Sequence, residues 1–144
     1  MQWCSQLELE IPSSLSEVSR ARRFVREFCG PTAQASLDER DICQLELAVH
    51  EAAVNIIRHA YDNRMGQRIL IEAQQSDEGF MFRLNHWGKS FDPTSVPPPA
   101  LDGESEGGYG LFIISSFVDE VAYIQNDTGK STVCLIKRRK NASG

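Results

Sequence analysis

Apolar and polar residues alternate from Ser5 to Ile11 (SQLELEI), with Leu7, Leu9 and Ile11 on one side. A period of two marks a half-buried strand. Pro12 closes it, and the period then lengthens. Leu15, Val18, Ala21, Val25 and Phe28 recur at helical spacing, behind a Ser14-x-x-Glu17 pattern that predicts a capping box. Gly30 and Pro31 end this helix. A longer helix is predicted from about Leu37 to about Tyr61, with Ile42, Leu45, Val49, Ala52, Ala53, Ile56 and Ala60 as its apolar stripe. After a turn at Asn63 to Gly66, Arg68–Gln74 and Phe80–His86 read as the two strands of a hairpin joined by SDEG.

From Asp92 to Gly108 no period survives, and proline, glycine and acid dominate. A loop of this length inside a compact domain is uncommon and often functional, for instance as a lid. A helix over Leu111–Val118 follows, then strands at Glu120–Gln125 and Ser131–Arg138 around the turn NDTGK. Helices grouped beside an antiparallel-capable sheet predict a two-layer α/β sandwich, its mixed, mostly antiparallel sheet covered on one face by helices. The 144 residues suit one domain, 1–144, with a lid at about 92–108.

Composition narrows the function. The formal net charge of -5 argues against a general nucleic-acid binder, because a phosphate backbone attracts basic faces. The basic run Lys137, Arg138, Arg139 and Lys140 reads as a solvated strand end. No stretch of about 18 apolar residues predicts a membrane span, and no basic-then-apolar leader opens the chain. Cys4, Cys29, Cys43 and Cys134 are far apart, and no Cys/His spacing suits zinc. Cys29, Cys43 and Cys134 lie among apolar residues and are expected to be buried free thiols, which fits a reducing cytoplasm.

Three local groupings carry candidate chemistry. Glu51, Asn55 and His59 are spaced i, i+4, i+8 on the long helix, so they form one stripe. A carboxylate there can accept a proton from an attacking hydroxyl, and an amide oxygen is a ligand for magnesium. A polar stripe facing water is the alternative. Gly107, Gly108, Tyr109, Gly110 and Leu111 open the third helix, where glycines admit close approach and exposed N–H groups favour phosphate. A flexible hinge is the alternative there. The third grouping is His86-Trp87-Gly88 with Phe91-Asp92-Pro93 just after, where Gly88 predicts a tight backbone turn and Trp87 packs against a surface.

In this order, and over most of the chain, these features resemble the Bergerat-type (GHKL) ATP-binding fold shared by gyrase, a chaperone of that fold and sensor histidine kinases. Within it the chain is most similar to the small bacterial anti-sigma-factor serine kinases of partner-switching systems. EAAVNIIRHAYDN (51–63) resembles their N-box, GGYGLFIISSFVDEV (107–121) their glycine-rich box, and GKSTVCLIK (129–137) their last strand. The resemblance implies that Glu51 is the general base and Asn55 the magnesium ligand. It implies an ATP site that includes Asn55, His59, His86, Gly88, Phe91, Gly108, Tyr109, Gly110, Leu111 and Thr132, with Thr132 near the adenine.

One position departs from the pattern. The family carries Asp-x-Gly where this chain has His86-Trp87-Gly88. A neutral imidazole keeps one acceptor nitrogen for an adenine amino group, and an imidazolium has none. With an ordinary pKa of roughly 6.5, His86 is expected to make nucleotide binding weak and pH-sensitive near neutrality. The resemblance then implies a cytoplasmic serine/threonine protein kinase using ATP and magnesium. It would phosphorylate a small antagonist protein and hold a sigma factor or another regulator. Relatives of this kind are often homodimers. The alternative is a sequestering module of the same fold that binds nucleotide weakly or not at all. A sensor histidine kinase catalytic domain fits less well, because the chain has no room for a separate dimerisation helix pair.

Overall fold

The structure is a computed structural model that describes residues 3–30, 37–90 and 109–139. Along the chain run β1 (Cys4–Pro12), α1 (Val18–Cys29), α2 (Glu39–Asn55), β2 (Arg68–Gln75), β3 (Gly79–His86), α3 (Tyr109–Phe117), β4 (Glu120–Gln125) and β5 (Ser131–Arg138). The five strands form one sheet in the order β1-β2-β3-β5-β4. All four pairings are antiparallel, so the sheet is not mixed as expected. The two-layer sandwich itself is as expected.

Strand alternation sorts the residues between layers. Leu9, Ile71, Leu84 and Val133 fall in register across β1, β2, β3 and β5. Ile71, Leu84 and Val133 lie in the core, with Leu9 packed against it. On the helix side Val25 and Phe28 of α1, Leu45, Val49 and Ala52 of α2, and Ile114 of α3 complete it. Phe28 stands edge-on to both Phe80 and Phe82, at 6.2 and 5.8 Å between ring centres. Such contacts add to the area that the rings bury. α2 is the middle helix, packed on α1 to one side and on α3 to the other.

Three further expectations are corrected. The capping box does not form: Leu15–Glu17 is a separate 3-10 turn before α1, and Ser14 makes no side-chain cap bond. Its hydroxyl lies 2.9 Å from that of Ser16 instead. The long helix is α-helical only to Asn55 and continues as a π turn over Ile56–Ala60. Cys43 is exposed, whereas Cys29 and Cys134 are buried free thiols. Burial pushes the Cys29 thiol up to about 12.

The basic run is solvated only in part: Arg138 is exposed as expected, whereas Lys137 and Arg139 are half-buried. Lys137 has the parity of Val133 and Leu135, so it points under the helices. Its ammonium donates to the Phe117 carbonyl at 2.8 Å and to Gln44 Oε1 at 3.2 Å, and lies 3.9 Å from the Asp41 carboxylate. Arg138 pairs with Glu120 at 2.8 Å. Arg139 bonds Gln75 and the Ser76 carbonyl, and its guanidinium lies over the Phe80 ring. Lys140 lies outside the described residues.

Candidate functional site

α2 begins at Asp38, whose carboxylate accepts the Asp41 N–H at 2.9 Å and so caps the helix. Seventeen positions on, Asn55 is its last α-helical residue. Glu51 and Asn55 are both half-buried and one turn apart, beside the buried Ala52 and Ile56. Beyond Asn55 the backbone widens: the Tyr61 N–H reaches the Ile56 carbonyl at 3.0 Å and the Asn63 N–H reaches that of Ile57 at 2.8 Å. The π turn breaks the i, i+4, i+8 stripe, and His59 emerges exposed.

The widening has a cause in the docking of β3. The Tyr61 hydroxyl donates to the Arg68 carbonyl at 2.6 Å and accepts the Trp87 N–H at 2.8 Å. The Lys89 N–H donates to the Ala60 carbonyl at 2.9 Å. Ile57, Ala60 and Tyr61 are all buried under this contact. Gly88 makes it fit, because a Cβ there would lie 2.5 Å from the Ala60 oxygen. Trp87 turns outward and takes the Arg68 guanidinium over its ring at 4.5 Å.

Lys137 fixes the other wall. It holds the last carbonyl of α3, that of Phe117, beside Gln44 near the start of α2. α3 packs along α2 and has nine residues. At 1.5 Å per residue its first turn begins about 12 Å further on. From the Phe117 end beside Gln44, α3 runs back along α2, the helix that carries Glu51 and Asn55. Backbone N–H groups at a helix start are suited to phosphate. Phe91 and Gly108, and the expected lid 92–108, lie outside the described residues, as do the side chains of Tyr109 and Leu111.

The sheet supplies the floor. His86 of β3 faces Ser131 of β5 across the ladder, and Ser131 faces Gln125 of β4. This row has the parity of Leu84 and Val133, so it looks toward the helix layer. Thr132, the residue expected near a base, has the opposite parity. Its hydroxyl donates to Asn85 Oδ1 at 2.7 Å, and the Asn85 amide donates to Glu72 at 2.8 Å and to the Leu70 carbonyl at 3.0 Å. That network occupies the far face of the sheet. Ser131, next in sequence, looks toward the helix layer, and both residues line the small cavity beside His86.

His86 is 2 % exposed, with its ring edge-on to Tyr61 at 5.9 Å. Burial penalises the imidazolium and pushes the pKa down to about 4. The expected switch near neutrality is therefore displaced: His86 is neutral across the whole neutral range.

The residues present fit a nucleotide carried with magnesium. Among the described residues no group of three His, Cys, Asp or Glu could hold a metal alone. Magnesium usually takes only one or two protein oxygens beside water and phosphate, which the Asn55 carbonyl oxygen can provide. Sequence reading missed Tyr61, Ser131, Gln125 and Lys137. Strand parity could have found Ser131; the other three depend on contacts from distant elements.

The histidine kinase-like ATPase domain model matches residues 11–137. The serine-protein kinase RsbW of Bacillus licheniformis is 36% identical over 107 residues, covering 67% of this chain and 65% of its own length. The chain thus spans a little under two-thirds of that relative. The serine-protein kinase RsbW of Bacillus thuringiensis is 26% identical over 145 residues, covering 95% of this chain and 87% of its own. The RsbW of Bacillus cereus matches to the same extent. No helix among the described residues is long and apolar enough to cross a membrane. With the matched span reaching from β1 to β5 and taking in both walls and the floor of the site, the chain belongs to the histidine kinase-like ATPase domain family.

Proposed function

We propose that this chain is an ATP-dependent protein-serine/threonine kinase whose substrate is a small antagonist protein in a partner switch. What supports the reading is the half-buried pair Glu51 and Asn55, one turn apart on α2, with α3 packed along the same helix. Glu51 takes the proton of an acceptor hydroxyl as its oxygen bonds to phosphorus and ADP departs. Asn55 holds magnesium through its amide oxygen. Main-chain N–H groups at the start of α3 hold phosphate oxygens without any need to rearrange. Bound ATP supplies the phosphoryl group, and magnesium neutralises its charge. The unphosphorylated antagonist binds this chain and releases a sigma factor or another regulator that it otherwise holds.

The names of the relatives support phosphoryl transfer to serine. The test is to mix the protein with ATP, magnesium and candidate antagonists. Phosphoserine that disappears in Glu51→Ala is the expected result. A second reading, sequestration without catalysis, is favoured by His86, which cannot supply the carboxylate acceptor found in the pattern it replaces. Tight complexes with a regulator that ignore nucleotide, and no phosphoserine, would establish it.

A further inference from the structure

The end of α2 departs from regular helix in two ways at once. Ile56–Ala60 is a π turn, and Asp62 and Asn63, just after it, both hold left-handed backbone, at φ 51° and 63°. π turns are short and rare, and left-handed residues other than glycine carry strain. Both gather at functional and switching segments, where the surrounding structure holds them in place.

What holds this π turn comes from outside the helix. The Ala60 carbonyl accepts the Lys89 N–H at 2.9 Å. The Tyr61 hydroxyl accepts the Trp87 N–H at 2.8 Å and donates to the Arg68 carbonyl at 2.6 Å. All three bonds run to the start of β2 or to the end of β3. In a π turn the fifth residue completes the turn, so Ala60 follows Asn55; Ala60 is buried and His59 is exposed. In an α-helix the fourth residue is the neighbour. His59 would then take that place, about 6 Å from Asn55 between β-carbons. The two arrangements exclude each other, because the α register turns Ala60 and Tyr61 away from β3.

We propose that the end of α2 is a two-state element. Seated on β3 it is locked in the π register; when the seat opens it returns to the α register, with His59 on the face of Glu51 and Asn55. The seat thereby decides whether that polar face carries an imidazole. The body of α2 stays in place in both states, because Leu45, Val49 and Ala52 hold it in the core. No nucleotide is needed for the change.

Relaxation-dispersion NMR of the intact chain measures the minor state of residues 56–63. Tyr61→Phe and Lys89→Pro each take hydrogen bonds from the seat, and each is expected to raise the minor population about fivefold. Asn63→Gly is expected to lower it, since glycine holds φ 63° without strain. In the double variant Tyr61→Phe, Lys89→Pro a nuclear Overhauser contact between the His59 ring and the Asn55 side-chain amide should appear, which identifies the α register. Lys89 is exposed, so Lys89→Pro alone serves for both measurements where Tyr61→Phe does not fold. No rise in population, exchange spread over the whole sheet, a rise in Asn63→Gly, or a His59 ring that stays apart from Asn55 overturns the proposal.

Discussion

The α-carbon of Gly88 rests against the main-chain carbonyl of Ala60, with 2.5 Å between that oxygen and the place a Cβ would occupy. Through this contact the end of β3 is seated on the end of the helix that carries Glu51 and Asn55. The next residue, Lys89, donates its N–H to the same oxygen. Gly88→Ala is expected to cost about 2–3 kcal/mol, because both partners are main chain and neither can swing aside. Gly66→Ala is the comparison. Gly66 has φ 79° with nothing near its missing side chain, so only backbone strain of about 1 kcal/mol is added there. Urea denaturation of the two variants checks the order; equal costs would dismiss the close approach as a structural requirement.

Glu51 and Asn55 share a face but are given separate tasks. Glu51→Gln is expected to lower phosphoryl transfer by roughly 10²–10⁴-fold while nucleotide affinity holds. Asn55→Ala is expected to weaken nucleotide binding by about tenfold with magnesium and hardly at all when the metal is chelated. Single-turnover phosphorylation and titrations with and without chelator separate the two. A loss of affinity in Glu51→Gln equal to its loss of rate would assign that side chain to binding.

Acid should act through His86. The folded pKa is about 4 and the unfolded value about 6.5. Between those values the unfolded chain binds more protons, so stability falls as pH drops. Above about 6.5 the contribution is complete. The natural chain should therefore lose about 2–3 kcal/mol more than His86→Gln between pH 7 and pH 4. His50 is also shifted down by burial and contributes in the same direction in both proteins, so the difference isolates His86. Urea midpoints at the two pH values measure it. Nucleotide affinity should be flat from about pH 6.5 to 8, where His86 stays neutral.

Lys137 joins α2, α3 and β5 through Gln44, Phe117 and Asp41. Its side chain is 13% exposed and that of Asp41 7%. Lys137→Met should destabilise the fold by about 2 kcal/mol, since it takes the donor from a helix-terminal carbonyl and a cation from beside a buried carboxylate. It should also loosen the start of α3 and so weaken nucleotide binding. Adding Asp41→Asn should restore part of the stability but not the affinity. Full recovery of both would show that Lys137 acts only by neutralising Asp41.

What the sequence determined by itself is whatever depends on local spacing. Periods of two and of 3.6 identify β1, α1 and α2, because side-chain direction repeats with the backbone, and turn residues set off the later strands. The Glu51–Asn55 spacing and the glycines ahead of Leu111 point to the site for the same reason. The tertiary structure decided the rest. The π turn exists because Ala60 and Tyr61 must meet β3, a partner distant in sequence. Thr132 and Ser131 lie on opposite faces because one step along a strand moves a side chain to the other face, and only pairing with β3 says which face the helices cover. Lys137 and His86 look soluble in a linear reading, yet Lys137 is half-buried against α2 and α3 and His86 is buried beside Tyr61. Ionisation follows burial, and burial is a property of the assembled layers rather than of any segment.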